Sequence, residues 1–205
     1  MKVLEVTALK KSFYAGEEGR YIHAVDNVSF FLEPGEFLGL VGESGCGKST
    51  LARIVTGLLH PDHGNVVLAG DELRQTPFPK AVYKQMQMVF QNPQDSFDPR
   101  RTIGCSIIDI QRNFGVKRAE AQQKMYGLLD RVGLKSTLAD RLPLEISGGE
   151  CQRAAIARAI SVSPQIIICD EITSALDVSV QAQILELLED LRDEMQLSLL
   201  FISHD

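Results

Sequence analysis

Residues 37–56 constrain the fold of this chain more than any other segment. Within them, residues 42–49 read G-x-x-x-x-G-K-S, the pattern of a phosphate-binding loop. The apolar run at 37–41 predicts a buried strand, and residues 51–56 have the composition of a helix. Glycines allow backbone N–H groups to curl around a polyphosphate, and the helix adds the positive end of its dipole. Because the strand, the loop and the helix come in this order, the sequence predicts a nucleoside triphosphate site rather than a plain Gly/Ser-rich turn.

The composition argues against several classes of protein. The 205 residues carry a net charge of −6, which speaks against a general nucleic-acid-binding surface, so no nucleic-acid partner is expected. No apolar run approaches the roughly 20 residues that span a bilayer, and no signal peptide is expected. The four cysteines lack C-x-x-C spacing and predict free thiols rather than disulfides or zinc ligands. They are Cys46, Cys105, Cys151 and Cys169.

Alternating strand and helix patterns predict an α/β fold with a central, mostly parallel sheet. Residues 165–169 and 197–202 are continuous apolar runs, typical of strands buried on both faces. Residues 2–7 alternate between apolar and polar types, and residues 24–33 also read as a strand, which predicts an antiparallel β part at the N-terminus. Residues 101–143 change to helical spacing, including a helix at 119–132 that ends at a glycine, and so predict a helical subdomain.

Further chemistry is expected at two places outside the loop. Asp170 and Glu171 follow a buried strand, where Asp170 can share a Mg²⁺ shell with Ser49 and Glu171 can polarise an attacking water. Lys48 is expected to reach the β- and γ-phosphates. A second anion site is predicted where Ser147 caps a helix, although this motif alone also fits an ordinary capped turn.

Taken together, these motifs resemble those of the ATP-binding subunits of ABC transporters. Six motifs occur in the family's order and span nearly the whole chain. They are Walker A at 42–50, the Q-loop at Gln91, the signature at 146–150, Walker B at 166–171, the D-loop at 174–177 and the switch histidine at 203–205. The resemblance implies a P-loop NTPase fold in one domain over residues 1–205. It divides that domain into a nucleotide-binding core at about 1–92 and 160–205 and a helical subdomain at about 93–159.

The resemblance also implies a role for each motif residue, with ATP and Mg²⁺ as cofactors. Mg²⁺ would be held by Ser49, Gln91 and Asp170, and catalysis would involve Lys48, Gln91, Glu171 and His204. The residues expected to bind ATP in this subunit are Phe13, Gly42, Ser44, Gly45, Cys46, Gly47, Lys48, Ser49 and Thr50. Phe13 would stack on adenine, with Tyr14 the less favoured choice. Ser147, Gly148 and Gly149 would contact ATP held by a second ABC ATPase subunit, identical or not, in a head-to-tail dimer.

Within that family, residues 89–100 indicate a particular group, because they resemble the Q-loop region of oligopeptide, dipeptide and nickel importers. This implies an ATPase that powers import of a peptide or nickel complex through a membrane permease, with a solute-binding protein as an indirect partner. Such a subunit is cytoplasmic and peripheral on the inner face of the cell membrane. The alternatives are a soluble ABC ATPase without a transport role and a nucleotide-binding fragment with little turnover.

Two departures from the family pattern modify these expectations. Glu150 stands where glutamine is usual and Ile146 where leucine is usual, and a carboxylate there would either repel the partner's nucleotide or point away. We expect reduced but real activity. The sequence also stops directly after the switch histidine, which suggests a C-terminally truncated form. Relatives continue with a helix and further strands; the strand at 197–202 would then lack those neighbours, and His204 would be poorly held.

Overall fold

The computed structural model describes residues 2–15, 19–74, 77–174 and 176–204, so Ala175 of the expected D-loop and Asp205 of the switch motif lie outside the described residues. The strands are β1 Leu4–Ala15, β2 Arg20–Leu32, β3 Phe37–Val41, β4 His63–Leu68, β5 Asp71–Glu72, β6 Met86–Val89, β7 Ile166–Asp170 and β8 Ser198–Ser203. The helices are α1 Lys48–Val55, α2 Lys80–Gln85, α3 Ile103–Asn113, α4 Arg118–Arg131, α5 Gly148–Ile160 and α6 Val178–Met195.

A four-stranded parallel sheet forms the centre of the molecule, in the order β3-β8-β7-β6. Successive side chains of its inner strands β7 and β8 enter opposite core clusters, as the period of a strand requires. Ile167, Cys169, Leu199 and Phe201 face one cluster, whereas Ile166, Ile168, Leu200 and Ile202 face the other. The predicted parallel sheet, apolar on both faces, is therefore confirmed.

Strand β8 lies in the interior of the parallel sheet. Leu199 pairs with Phe37 of β3 on one side and with Ile167 of β7 on the other. Strand order in a parallel sheet does not follow chain order, and here β8 is inserted between two earlier strands. His204 consequently follows a buried interior strand.

The second sheet is antiparallel, in the order β2-β1-β4-β5, and confirms the predicted N-terminal β part. Its buried side chains, Leu4, Leu9 and Leu32 among them, share one core cluster with α1 and one face of the parallel sheet. This packing brings β2 against the phosphate-loop region, where the carbonyl oxygen of Ala24 approaches Gly47.

Helices α3 to α6 pack in the other cluster, against the opposite face of the parallel sheet. The predicted helix at 119–132 is present as α4, and Gly133 follows it with a φ of 72°, a conformation that suits glycine. Ser147 caps α5 by accepting a hydrogen bond from the Glu150 N–H, as predicted. Among the described residues, none of the helices is long and apolar enough to cross a membrane.

Candidate functional site

The loop between β3 and α1 is shaped by two glycines in left-handed backbone conformations. Gly45 has a φ of 80° and Gly47 a φ of 99°. A Cβ atom on Gly47 would lie only 1.8 Å from the carbonyl oxygen of Ala24, so glycine is required there for space as well as for conformation. Since Gly47 precedes α1 and has no side chain to cap it, the first N–H groups of the helix are available to an anion.

Lys48 lies across this loop and is only 6% exposed. Its Nζ donates hydrogen bonds to the carbonyl oxygens of Gly42 and Glu43, at 2.7 and 2.8 Å. The same atom lies 3.5 Å from Oε1 of Glu171. A buried ammonium needs such partners. The contacts place one positive charge between the loop and the end of β7.

Ser49 and Asp170 meet beside the lysine, where the Ser49 hydroxyl donates to Oδ1 of Asp170 at 3.0 Å. Asp170 is 5% exposed, and burial raises its pKa. The hydrogen bond from Ser49 opposes that rise, whereas the neighbouring charge of Glu171 adds to it. A hydroxyl and a carboxylate oxygen this close form a hard donor pair, the kind that Mg²⁺ uses together with phosphate oxygens. The two residues therefore fit the metal predicted for them.

Glu171 is the meeting point of three strand ends. Nε2 of Gln91, which follows β6, donates to Oε2 of Glu171 at 3.1 Å. Nδ1 of His204, which follows β8, lies 3.7 Å from the same oxygen. The carboxyl ends of neighbouring parallel strands share one edge of the sheet, where ligands bind in open α/β folds. The structure thus brings Gln91, Glu171 and His204 together, as predicted.

Sequence reasoning missed the role of the Ser174 side chain in holding this cluster. Glu171 has a φ of 49°, which is uncommon for a residue other than glycine. The Ser174 hydroxyl donates to the Glu171 carbonyl oxygen at 2.9 Å and accepts from Nε2 of Gln91 at 3.4 Å. Ser174 therefore ties the backbone of Glu171 to Gln91. The D-loop motif marked this serine, but its spacing contains no signal for these bonds.

The phosphate loop opens into a cavity of about 320 Å³. It is lined by Phe13, Ile22, His23, Ala24, Gly45, Cys46, Gly47, Lys48, Ser49, Thr50 and Glu171. Phe13 is 40% exposed at the cavity, whereas Tyr14 is outside its lining and packs against Tyr21 with ring centroids 5.4 Å apart. The preference for Phe13 over Tyr14 thus agrees with the geometry. The β2 residues in this wall had no sequence signal, because only sheet pairing brings β2 there.

The signature residues form a separate surface at the start of α5. Ser147 and Gly148 are exposed, and the cavity of the phosphate loop includes neither of them nor Gly149. Leu176 lies 3.8 Å from the position of a Cβ on Gly148, and Val180 lies 3.0 Å from that of a Cβ on Gly149. Within one chain, therefore, the structure does not join the signature to the phosphate loop.

The carboxylate of Glu150 is bound within its own helix cap. Its Oε2 accepts the N–H and the hydroxyl proton of Ser147, both at 2.9 Å, while the Glu150 N–H donates to Ser147 Oγ at 3.3 Å. The backbone bond and then the hydroxyl bond from Ser147 lower the pKa of Glu150. Of the two orientations weighed from the sequence, neither matches fully, because the carboxylate is turned onto the signature serine itself.

All four cysteines are free thiols, as predicted. Burial raises the pKa of Cys151 to about 11 and that of Cys169 to about 12. Among the described residues, no group of three or more His, Cys, Asp and Glu side chains is arranged to hold a metal ion.

Comparisons with known proteins agree with the motifs. The family model for the ABC transporter matches residues 25–174. The chain is 46% identical over 200 residues to the oligopeptide transport ATP-binding protein OppF of Haemophilus influenzae, covering 96% of this chain and 60% of that protein. It is 46% identical over 189 residues to the glutathione import ATP-binding protein GsiA of Pectobacterium atrosepticum, covering 91% of this chain and 30% of that protein. The chain thus spans less than two thirds of the length of these relatives.

Among solved structures, the chain resembles the dimeric post-hydrolysis state of the ATP-binding cassette MJ0796, bound to ADP and phosphate. The TM-score is 0.85 at 27% sequence identity, and the match covers 98% of this chain and 88% of that one. The likeness therefore extends over nearly the whole chain.

Proposed function

Since this chain belongs to the ABC transporter family, we propose that it binds and hydrolyses ATP to power the import of a small solute through a membrane permease. The observation that carries the proposal is the convergence of six side chains beside one glycine loop. They are Lys48, Ser49, Gln91, Asp170, Glu171 and His204, at the contacts described above. One cationic, one hydroxyl and two carboxylate groups there have the chemistry of phosphoryl transfer to water.

ATP binding is assigned to the cavity above the loop. The triphosphate would lie along residues 42–50, where backbone N–H groups and the Lys48 ammonium neutralise its charge. The adenine would stack on Phe13 at the other end of the cavity, which is lined by both Phe13 and the loop. The β2 wall limits the depth of the site, because Ala24 contacts the loop at Gly47.

Ser49 and Asp170 would hold Mg²⁺, with Gln91 as a further ligand through its amide oxygen. The donor pair at 3.0 Å supports this assignment, as does the hydrogen bond from the Gln91 amide nitrogen to Glu171, which leaves the amide oxygen as the ligand atom. When bound, the metal supplies positive charge that screens the phosphate oxygens.

Hydrolysis is assigned to Glu171 as the general base that orients the attacking water and takes its proton. The contact of the Glu171 carboxylate with Lys48 supports this assignment, because Lys48 is the proposed partner of the β- and γ-phosphates. Gln91 and His204 contact one of its oxygens and would position it, and His204 would also contact the γ-phosphate. The interior strand β8 supports this role, because it holds the backbone before His204 on both sides.

A second ABC ATPase subunit is part of the proposal. The signature surface at Ser147 is exposed and separate from the loop of the same chain, so a nucleotide could meet it only on another subunit. The dimeric state of the similar solved cassette supports this arrangement. Closure of two such subunits on ATP and their opening after hydrolysis would drive the permease from the inner face of the cell membrane.

Peptides are the proposed class of cargo. The two relatives reported above are named for oligopeptide transport and for glutathione import, and neither is named for nickel. A solute-binding protein outside the membrane would then deliver the peptide to the permease.

We also propose the division into a nucleotide-binding core, residues 1–92 and 160–205, and a helical part, residues 93–159. Helices α3 to α5 of the helical part share a core cluster with β7, β8 and α6 of the nucleotide-binding core, so the two parts would fold together.

The test compares ATP turnover by the purified chain with that of Glu171→Gln. Glu189→Gln, which changes an exposed acid on α6, is the matched control. Turnover lost only in Glu171→Gln would support the proposed ATPase, and equal rates in all three would refute it. Co-fractionation with a membrane permease would support the transport role, whereas association with ribosomes or DNA instead would favour a soluble ABC ATPase.

A further inference from the structure

We propose that Glu150 withholds the hydroxyl proton of Ser147 and so weakens the hold of this signature on a nucleotide carried by a second copy of the chain. The inference rests on the proposed function, because it concerns the surface that meets the second copy's triphosphate. It assigns Glu150 as a positioning residue that acts through Ser147.

The direction of the hydrogen bond follows from the atoms involved. Oε2 of Glu150 lies 2.9 Å from Oγ of Ser147. An ionised carboxylate can only accept, so the serine must be the donor. The charged form is favoured here, since the backbone N–H of Ser147, its hydroxyl and, less strongly, the charge of Lys135 lower the pKa of Glu150.

A serine hydroxyl has one proton to donate, and this one is in use. The Oγ atom also accepts the N–H of Glu150 at 3.3 Å. Toward solvent, Ser147 therefore presents a remaining lone pair. Phosphate oxygens also only accept at neutral pH, so a phosphate and Glu150 compete for one proton. The backbone N–H of Ser147, which bonds to the same carboxylate at 2.9 Å, is withheld in the same way.

Charge acts in the same direction as the hydrogen bond. The N–H groups at the start of α5 attract an anion, and the carboxylate of Glu150 offsets that attraction within the first turn. An amide of the same shape would weaken both effects. Its oxygen could still accept both bonds from Ser147, but a neutral acceptor holds the hydroxyl proton less strongly than a carboxylate does, so the phosphate competes for that proton more successfully.

The experiment measures ATP-dependent dimerisation by analytical ultracentrifugation in a Glu171→Gln background, which keeps ATP intact. Adding Glu150→Gln should tighten the dimer about 10-fold with ATP and Mg²⁺, and should leave the affinity of each chain for a fluorescent ATP analogue unchanged. Adding Ser147→Ala to that variant should remove most of the gain, because the released proton belongs to Ser147 and only the contribution of the lost charge remains.

Glu145→Gln is the matched control. Like Glu150, Glu145 accepts a backbone N–H, here from Leu142 at 2.8 Å. The substitution therefore removes the same charge five residues away, from a side chain that does not bond to Ser147. The inference is overturned if Glu150→Gln leaves the dimer constant within 2-fold, including the case in which neither variant dimerises. It is also overturned if Glu145→Gln gives an equal gain, or if the gain survives Ser147→Ala undiminished. Failure of the proposed function would show separately, as absence of Glu171-dependent turnover and of ATP binding.

Discussion

The phosphate loop and the signature both contain glycines at the start of a helix, but they differ in burial and in where their hydrogen-bond partners come from. Lys48 and Asp170 beside the loop are buried, and their partners come from elements far apart in the chain. Around the signature, the hydrogen bonds of the exposed Ser147 run to Glu150 and to the backbone N–H of Cys151, within the first turn of α5. The first region is assembled by tertiary packing, whereas the second is a local cap. This difference supports the proposal that the loop binds ATP within one chain, whereas the signature acts on ATP held by a second subunit.

The largest effect should come from Glu171→Gln. Loss of a general base costs roughly 10²–10⁴-fold in rate, whereas ATP should still bind because Lys48 and the loop are unchanged. Single-turnover ATP hydrolysis and equilibrium binding of a fluorescent ATP analogue measure the two effects. If binding fell together with the rate, the assembled site would depend on Glu171 for its shape, and the comparison above would need revision.

Gly47→Ala should reduce ATP affinity by about 10²-fold, since left-handed strain of about 1–3 kcal/mol adds to a clash with the Ala24 carbonyl. Gly70→Ala is a matched control, with a similar φ of 93° and no atom within 4 Å of its Cβ. That variant should share the strain but keep ATP affinity within about 2-fold. Equal losses of affinity would mean that backbone strain rather than contact with β2 shapes the loop.

Phe13→Ala should weaken ATP binding about 10-fold, because stacking of a base on an aromatic ring contributes about 1–3 kcal/mol. Tyr14→Ala should change the affinity little, since Tyr14 packs on Tyr21 outside the cavity. Titration with ATP and with inorganic triphosphate separates the base from the phosphates. A loss that is equal for both ligands would contradict stacking at Phe13.

Ser147→Ala should lower the free energy of unfolding by about 1 kcal/mol through loss of the helix cap, without changing ATP binding by the same chain. Urea unfolding measures the first effect and the fluorescent analogue the second. Ser179→Ala, an exposed serine in the first turn of α6, is the control. Weaker ATP binding by monomeric Ser147→Ala would show that the two regions are coupled within one chain.

The smallest effect concerns acid stability. The pKa of Glu150 is lowered in the folded state, so its stabilising contribution is present above the unfolded pKa and is lost as the pH falls through the folded pKa. Glu150→Gln should therefore lower the free energy of unfolding at pH 7 by only about 0.3–1 kcal/mol. Below about pH 4.3, the free energy of unfolding of the variant should fall less steeply with pH than that of the unchanged chain. Urea unfolding as a function of pH tests this, and an unchanged acid slope would contradict the bonded carboxylate.

Local patterns were sufficient for much of the site. Four features lie where their flanking sequences predict: the glycine loop, the two acids at the end of β7, Gln91 after β6 and the cap at Ser147. Each of these depends on interactions within a few residues, or on a strand end whose apolar run is visible in the sequence. The bonding of Glu150 was not predictable to the same degree, because spacing alone does not say whether a carboxylate bonds its own cap or faces outward.

By itself, the sequence determined the α/β class, the phosphate loop and the identities of the residues around it, because periodicity and short motifs encode local structure. Only the tertiary structure decided that β8 lies between β3 and β7, which fixes His204 beside Glu171. Tertiary contacts alone also placed β2 against the phosphate loop and Ser174 between Gln91 and Glu171. The physical reason is that strand order and side-chain bonds between distant segments depend on which surfaces pack together, and no spacing along the chain records that.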